Sequence, residues 1–238
     1  PDNYLYKPTL PLSEFGVDDD EKKDFRKKEF ISFENLQNGN LLNCEEVDFF
    51  EERNVIKNSI NRKTFSTDDS GVFAPYSIKE LFFVNNIVLY ALFDETIFKL
   101  EEVENILSLI GKSGFGKKSS IGKGQFEIEI DKNFKGFKKV DSNYYITLSP
   151  TIFNKNDEIE NCFYDVWSKF GKFHSSQTPF KKPVVFAKSS AVVKLKNKKE
   201  YIGKALNNGY EKKSFVQGYS IVVPFEYKEW KDGKKKNR

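Results

Sequence analysis

Residues 81–130 read in order as strand, helix, loop and strand, and this order restricts the fold more than any other feature of the chain. The run "LFFVNNIVLYALF" (81–93) is rich in β-branched and aromatic residues and reads as a buried strand. Asp94 follows in an N-cap position. Ile97, Leu100, Val103, Ile106, Leu107 and Ile110 then recur at helical spacing, with Gly111 placed to end the helix. After a loop over 112–124, "QFEIEI" (125–130) alternates as a half-buried strand does.

The loop sequence "GKSGFGKKSSIGKG" (111–124) holds five glycines and four lysines and no acid. Its first half fits GxxxxGK, but a nucleotide P-loop runs from a strand into a helix, whose N-terminus then meets the phosphates. Here the loop leaves a helix C-terminus, whose dipole repels anions. Lys118 also stands where a P-loop needs Ser or Thr to hold magnesium. The chemistry suits a polyanion backbone better. Glycines admit the main chain close to phosphates, and Lys112, Lys117, Lys118, Lys123, Ser113, Ser119 and Ser120 supply cations and hydroxyls. Phe115 has two readings, stacking on an unpaired base or pinning the loop to the core.

The net charge of +4 hides a division at this loop. Residues 1–110 carry 12 basic and 22 acidic side chains, whereas residues 111–238 carry 27 and 13. The basic half suits a polyanionic partner and the acidic half a basic protein neighbour; the plain alternative is two solvated faces of opposite sign. One histidine and two cysteines far apart, Cys44 and Cys162, leave no Cys/His metal cluster, so no cofactor is expected. That cysteine usage points to a reducing cytoplasm. No run of about 18 apolar residues is present, so no membrane partner is expected. Methionine is absent and the chain opens at Pro1, which fits a longer polypeptide.

Elsewhere, residues 1–17 are interrupted by prolines and read as extended at a sheet edge. "DDDEKKDFRKKEFISFENL" opens with an acidic cluster suited to a helix N-terminus and runs into a weak strand signal at "EFISF". Residues 44–52 read as a short helix or loop. Residues 55–78 read as two extended arms around the polar tip "TFSTDDSG", a long hairpin. "KDGKKKNR" closes the chain as a basic tail.

The segment "GKSGFGKKSSIGKGQFEIEI" resembles the glycine-rich loop of the RAMP proteins of CRISPR systems, which also follows a helix and precedes a strand. "NSINRKT" (58–64) is similar to the N-x-I-D-R-K-T segment of one branch, the type III-A (Csm) subunit that binds the 5′ handle of the guide RNA. "YITLSPTI" (145–152), "KPVVFAKSSAVV" (182–193) and "QGYSIVVPF" (217–225) look like later strands of that subunit. The resemblance covers roughly residues 1–227. Asn61 replaces the usual Asp, "KSSAVV" (188–193) lacks a common glycine, and the family's N-terminal strand and helix have no counterpart before Pro1.

The resemblance implies an α+β fold of tandem ferredoxin-like (RRM-like) βαββαβ domains, with the glycine-rich loop and a protruding β-hairpin. Residues 1–78 would be the remainder of a first domain incomplete at its N-terminus and including the hairpin (55–78). Residues 79–227 would be the second domain and 228–238 the tail. It further implies a scaffold that binds the crRNA 5′ handle without cutting RNA and docks to the large polymerase-like subunit, with RAMP backbone subunits stacked on its other side. By position, Asn58, Asn61, Arg62, Lys63 and Thr64 would contact the handle or the first guide nucleotides, with residues 65–77 as a wedge. Lys112, Ser113, Gly114, Phe115, Gly116, Lys117, Lys118, Ser119, Ser120, Gly122 and Gly124 would hold the handle backbone. Arg62 also reads as a surface salt-bridge partner, and Asn61 as the cap of a turn.

A related branch processes precursor CRISPR RNA with a general acid/base, often histidine. The sole histidine, His174, lies in a polar, basic stretch, but no spacing ties Lys172, Lys181 or Lys182 to one site with it. Asp68–Asp69 and Glu101–Glu102 read as solvated pairs, on a hairpin tip and a helix rim. The expectation is therefore no catalysis. A processing endoribonuclease and an adaptor that binds only protein through the acidic half are the alternatives.

Overall fold

Short apolar stretches broken by prolines and charges give short strands here, and every ladder between described strands is antiparallel. The computed structural model describes residues 3–15, 17, 20–68, 71–173, 179–210 and 214–227. Strand β1 (Tyr4–Tyr6) is the edge of a three-stranded sheet with β2 (Phe30–Ser32) and β3 (Cys44–Glu45), as the proline-interrupted N-terminus predicts. Helix α1 (Lys22–Lys27) precedes β2. Helix α2 (Phe33–Gln37) starts directly after it, where the Ser32 hydroxyl accepts the Asn35 N–H. Strands β4 (Phe50–Lys57) and β5 (Tyr76–Phe83) form a separate ribbon, followed by α3 (Leu100–Ser113).

The C-terminal half contributes β6 (Tyr144–Thr147), β7 (Ile159–Phe163), β8 (Val166–Lys169), β9 (Val184–Ala187), β10 (Val192–Leu195), β11 (Tyr201–Gly203), β12 (Leu206–Asn207), β13 (Phe215–Val216) and β14 (Tyr219–Pro224). Five of these form a sheet in the order β11-β14-β6-β10-β7, while β8–β9 and β12–β13 pair separately. The central strands are apolar on both faces. Tyr144, Ile146, Val192 and Val223 point one way, and Tyr145, Val193 and Val222 the other. The first face is covered from the far end of the sequence by Phe15, Phe25, Ile31 and Leu36. The Ser190 hydroxyl donates to the Tyr6 carbonyl (2.9 Å) and the Thr9 N–H to the Ser190 carbonyl (2.9 Å), so the N-terminal strand is also tied to this sheet by polar bonds.

The fold is thus mixed α+β with mostly antiparallel strands. Among the described residues from 144 to 224, the only helical turn is the 3₁₀ turn Lys155–Asp157, and the strands there follow one another without α-helices. Its Asp157 is buried and accepts the backbone N–H groups of Asn154 (2.6 Å) and Gly203.

Several local expectations need correction. The run 81–93 does not form one buried strand. Strand β5 ends at Phe83, the chain runs irregularly over 84–93, and Phe83, Val84, Ile87, Val88, Leu89 and Leu92 are exposed. The polar pair Asn85–Asn86 interrupts the run, and Asn85 turns its amide to the Asp48 carbonyl (3.1 Å). Residues 125–130 likewise form no strand; the Gln125 side chain and the Phe126 N–H donate to helix carbonyls, and no ladder among the described residues includes the segment. Gly111 lies inside α3, which ends at Ser113 with Gly114 as its C-cap. A Cβ at Gly111 would come within 2.3 Å of the Phe126 carbonyl, so this glycine serves packing rather than termination. Residues 44–52 supply β3 and the start of β4 rather than a helix or loop alone. The tail 228–238 lies outside the described residues.

Candidate nucleic-acid interface

The ribbon β4–β5 pairs from Phe50↔Phe83 to Lys57↔Tyr76 and stands largely exposed. Directly opposed residues share a face, so Arg53/Glu80, Val55/Ile78 and Lys57/Tyr76 lie on one side. Lys79 pairs with Glu52 (2.9 Å) on the other. A free two-stranded ribbon is marginal in water and needs packing on one face. Here the glycine loop provides it. Lys123 Nζ lies 2.8 Å from Glu80 Oε2, and Lys57 Nζ lies 3.9 Å from Glu80 Oε1. Lys123 and Arg53 also sit over the Phe82 ring, at 5.8 and 4.8 Å. Glu80 is therefore the clasp between the two segments that the sequence singled out separately.

Among the sequence-predicted residues, the loop closes on itself before it meets anything else. Gly114 turns the chain at φ +84°, and its N–H caps the Ile110 carbonyl (2.9 Å). Phe115 N–H then bonds the Gly124 carbonyl at 2.8 Å. The Gln125 amide and the Phe126 N–H donate to the carbonyls of Lys112 and Gly111. Three of the last four helix carbonyls, those of Ile110, Gly111 and Lys112, are thereby capped by the chain's own donors, which weakens the electrostatic objection to an anion near the loop. Lys118 takes a left-handed conformation (φ +65°) and leads the 3₁₀ turn Ser119–Ile121, with Gly122 closing it.

Lys112, Ser113, Gly116, Lys117 and Ser120 are exposed, and Lys118 and Ser119 half-buried. Lys123, which the sequence offered as a further phosphate ligand, is committed to Glu80. Phe115 is 75% exposed, so its ring does not pin the loop to the core.

At the ribbon's far end, Asn58 is exposed, and the Asn61 carboxamide accepts the Lys63 N–H (3.0 Å), forming the cap of a turn. Asn61 N–H bonds the Ser66 carbonyl and Phe65 N–H the Asn61 carbonyl, which closes a tight loop over 61–66. Arg62, Lys63 and Thr64 stand exposed on it, and Thr64 shares a hydrogen bond with the Ser66 hydroxyl. Phe65 is 84% exposed and held at φ +54°, an unusual conformation for a bulky residue.

Nothing in the sequence singles out Glu80, one acid among the many of the acidic half; only the register of β4 and β5 opposes it to the loop. Its Lys123 hydrogen bond above all, with the charges of Lys123, Lys57 and Lys118 adding, holds its carboxyl below its ordinary value against the opposing effect of desolvation. A depressed carboxylate contributes stability above its unfolded pKa and loses it as pH falls through the folded value. The clasp should therefore hold at neutral pH and loosen in acid. Amide exchange over 114–124, corrected for intrinsic rates, should accelerate as pH is lowered from neutral until the carboxyl protonates, below the ordinary carboxylate range. In Glu80→Gln it should be fast throughout. Parent protection no greater than that of Glu80→Gln at neutral pH would remove Glu80 from this role.

His174 and Asp69 lie outside the described residues. Glu102 caps the start of α3 by accepting the Lys99 N–H (2.8 Å). Among the described residues no cluster of His, Cys, Asp and Glu suits a metal ion, and no helix is long and apolar enough to cross a membrane.

No protein-family model matches this sequence, and no curated protein matches it. Among solved structures, the chain is similar to one from the Csm3–Csm4 subcomplex of the type III-A CRISPR-Cas interference complex. Identity is 16% and the TM-score 0.53, over 94% of this chain and 79% of that one. At that identity the likeness speaks for the fold.

Proposed function

We propose that this chain is a non-catalytic RNA-binding scaffold subunit of a type III-A CRISPR RNA-guided effector complex. It anchors the crRNA 5′ handle, docks to the large polymerase-like subunit and adjoins the RAMP backbone subunits. The observation that carries this reading is the Lys57–Glu80–Lys123 clasp. It holds the glycine loop against the ribbon bearing Asn58 to Thr64 and neutralises only the innermost lysines. Lys112, Lys117, Lys118, Arg62 and Lys63 form no ion pair with a described carboxylate. Two cation-bearing, glycine- or turn-shaped edges on one support suit a single-stranded backbone, where lysines bind phosphate and Phe115 and Phe65 offer rings to bases. The likeness of fold to a chain of a Csm subcomplex supports the assignment.

The test is binding of handle-bearing crRNA to the full chain across a salt series. The parent should lose affinity steeply with salt. Lys117→Ala with Lys118→Ala should flatten the logarithmic slope by about 1.4, at roughly 0.7 per single-strand phosphate contact. An unchanged slope would remove the loop from the interface. Repeat RNA incubated with the protein without metal should stay intact; specific cleavage abolished by His174→Ala would overturn the non-catalytic role.

A further inference from the structure

A second surface, remote in sequence from both predicted segments, combines rings and lysines in a way the reading above leaves unused. The β8–β9 hairpin continues beyond its ladder through a bridge between Lys172 and Phe180 and through hydrogen bonds from Phe173 N–H to the Pro179 carbonyl and from Lys181 N–H to the Gly171 carbonyl. The hairpin is fixed to its neighbour β12–β13. Lys182 N–H bonds the Asn208 carbonyl at 2.7 Å, and Val184 and Phe186 pack with Val216. From Val166 to Ser190 the sequence contains five lysines and no acid.

The side chains of this extension are ordered in ammonium–ring pairs. Lys172 lies over Phe180 at 4.8 Å, Lys181 over Phe173 at 4.4 Å, and Lys182 over Tyr210 of the neighbouring hairpin at 5.6 Å. None of these lysines forms an ion pair with a described carboxylate. The rings stay largely open all the same, with Phe180 60%, Tyr210 68% and the adjacent Phe170 77% exposed. Ammonium groups beside Phe173, Phe180 and Tyr210, with the open ring of Phe170 next to them, interleave stacking faces with positive charge, the arrangement that grips unpaired bases and their phosphates together. A lipid surface uses such rings only as apolar bulk, which leucine also supplies, whereas base stacking needs the ring itself.

We infer that this extension is a second binding site, for single-stranded nucleic acid. Phe170, Phe180 and Tyr210 stack bases, and Lys172, Lys181 and Lys182 neutralise phosphates. It takes RNA without sequence preference, since every base has a stacking face. The inference stands apart from the handle site.

The experiment measures anisotropy of a fluorescein-labelled oligouridylate titrated with the full chain over a salt series. Phe170→Ala and Phe180→Ala should each weaken binding about fivefold or more. Phe180→Leu, which keeps apolar bulk without the ring, should behave like Phe180→Ala. Lys172→Gln, Lys181→Gln and Lys182→Gln together should lower the salt slope by about 2. Retention on heparin should fall in the lysine variant and stay unchanged in the ring variants. Full affinity in Phe180→Leu, or equal loss of heparin retention in the ring variants, overturns the stacking role. Unchanged affinity and slope throughout overturn the site. The Lys117→Ala, Lys118→Ala protein is measured alongside: a deficit there alone overturns this inference and leaves the handle site standing, and a deficit in the hairpin variants alone supports this inference, the handle site being decided by the crRNA titration.

Discussion

Gly203→Ala is expected to cost about 4 kcal/mol of stability, a large share of the roughly 5–15 kcal/mol that holds a folded domain together. Two effects combine at this position. The backbone sits at φ +102°, where an L side chain is strained, and a Cβ would lie 2.2 Å from the Gly218 carbonyl oxygen and 2.6 Å from Thr151 Oγ1. Neither neighbour can yield cheaply. Thr151 is fully buried and its hydroxyl donates to that same Gly218 carbonyl at 2.8 Å, while Gly203 N–H supplies the buried Asp157 carboxylate. Shifting β11 away from the intruding methyl would therefore strip a donor from a buried charge. Gly136→Ala is the control, since φ is also positive (+92°) but the space beyond is empty; it should cost only about 1 kcal/mol. Urea unfolding followed by tryptophan fluorescence measures both. A Gly203→Ala midpoint close to that of Gly136→Ala would show that β11 tolerates the shift.

Gly124→Ala is expected to abolish most handle RNA binding while leaving the melting temperature nearly unchanged. A Cβ there would lie 2.0 Å from the Phe115 carbonyl oxygen at φ +72°, so the loop stem must open and the Phe115–Gly124 hydrogen bond must break. Lys117 and Lys118 then lose their fixed place beside the ribbon. The hydrophobic core contains none of these residues, which is why fold stability should not follow. Affinity should fall about tenfold or more, equivalent to roughly 1.4 kcal/mol. Gly116→Ala shares the positive φ (+95°) but meets nothing, and should lose far less. Equal affinities for the two variants would mean that loop shape is irrelevant to binding.

Much of the interface was legible in the sequence because it depends on backbone geometry. Helix α3 showed through the spacing of Val103, Ile106 and Ile110, and the glycines marked the turns at Gly114 and Gly124. The hairpin was legible in outline, but its arms lie at 50–57 and 76–83 instead of within 55–78. The missed part, "FEERN", carries charges on both faces and gives no alternating signal; it holds as a strand through partners across the ribbon, Lys79 for Glu52 and Phe82 for Arg53. The opposite error befell 84–93 and 125–130. Their composition is that of strands, but among the described residues no ladder includes them. Composition registers what a segment prefers and carries nothing about whether a neighbour is present to pair with it.

The joining of Tyr6 to Ser190 and of Phe15, Phe25 and Leu36 to Val223 and Phe225 bears on how the chain is made. On the ribosome Tyr6 and the phenylalanines that follow it emerge well before the strands that will cover them, with 184 positions separating Tyr6 from its partner. At about 5–20 residues per second, that wait is roughly 10–40 s. For this interval a phenylalanine-rich nascent segment has nowhere native to bury its rings, and it is then that chaperone protection matters most.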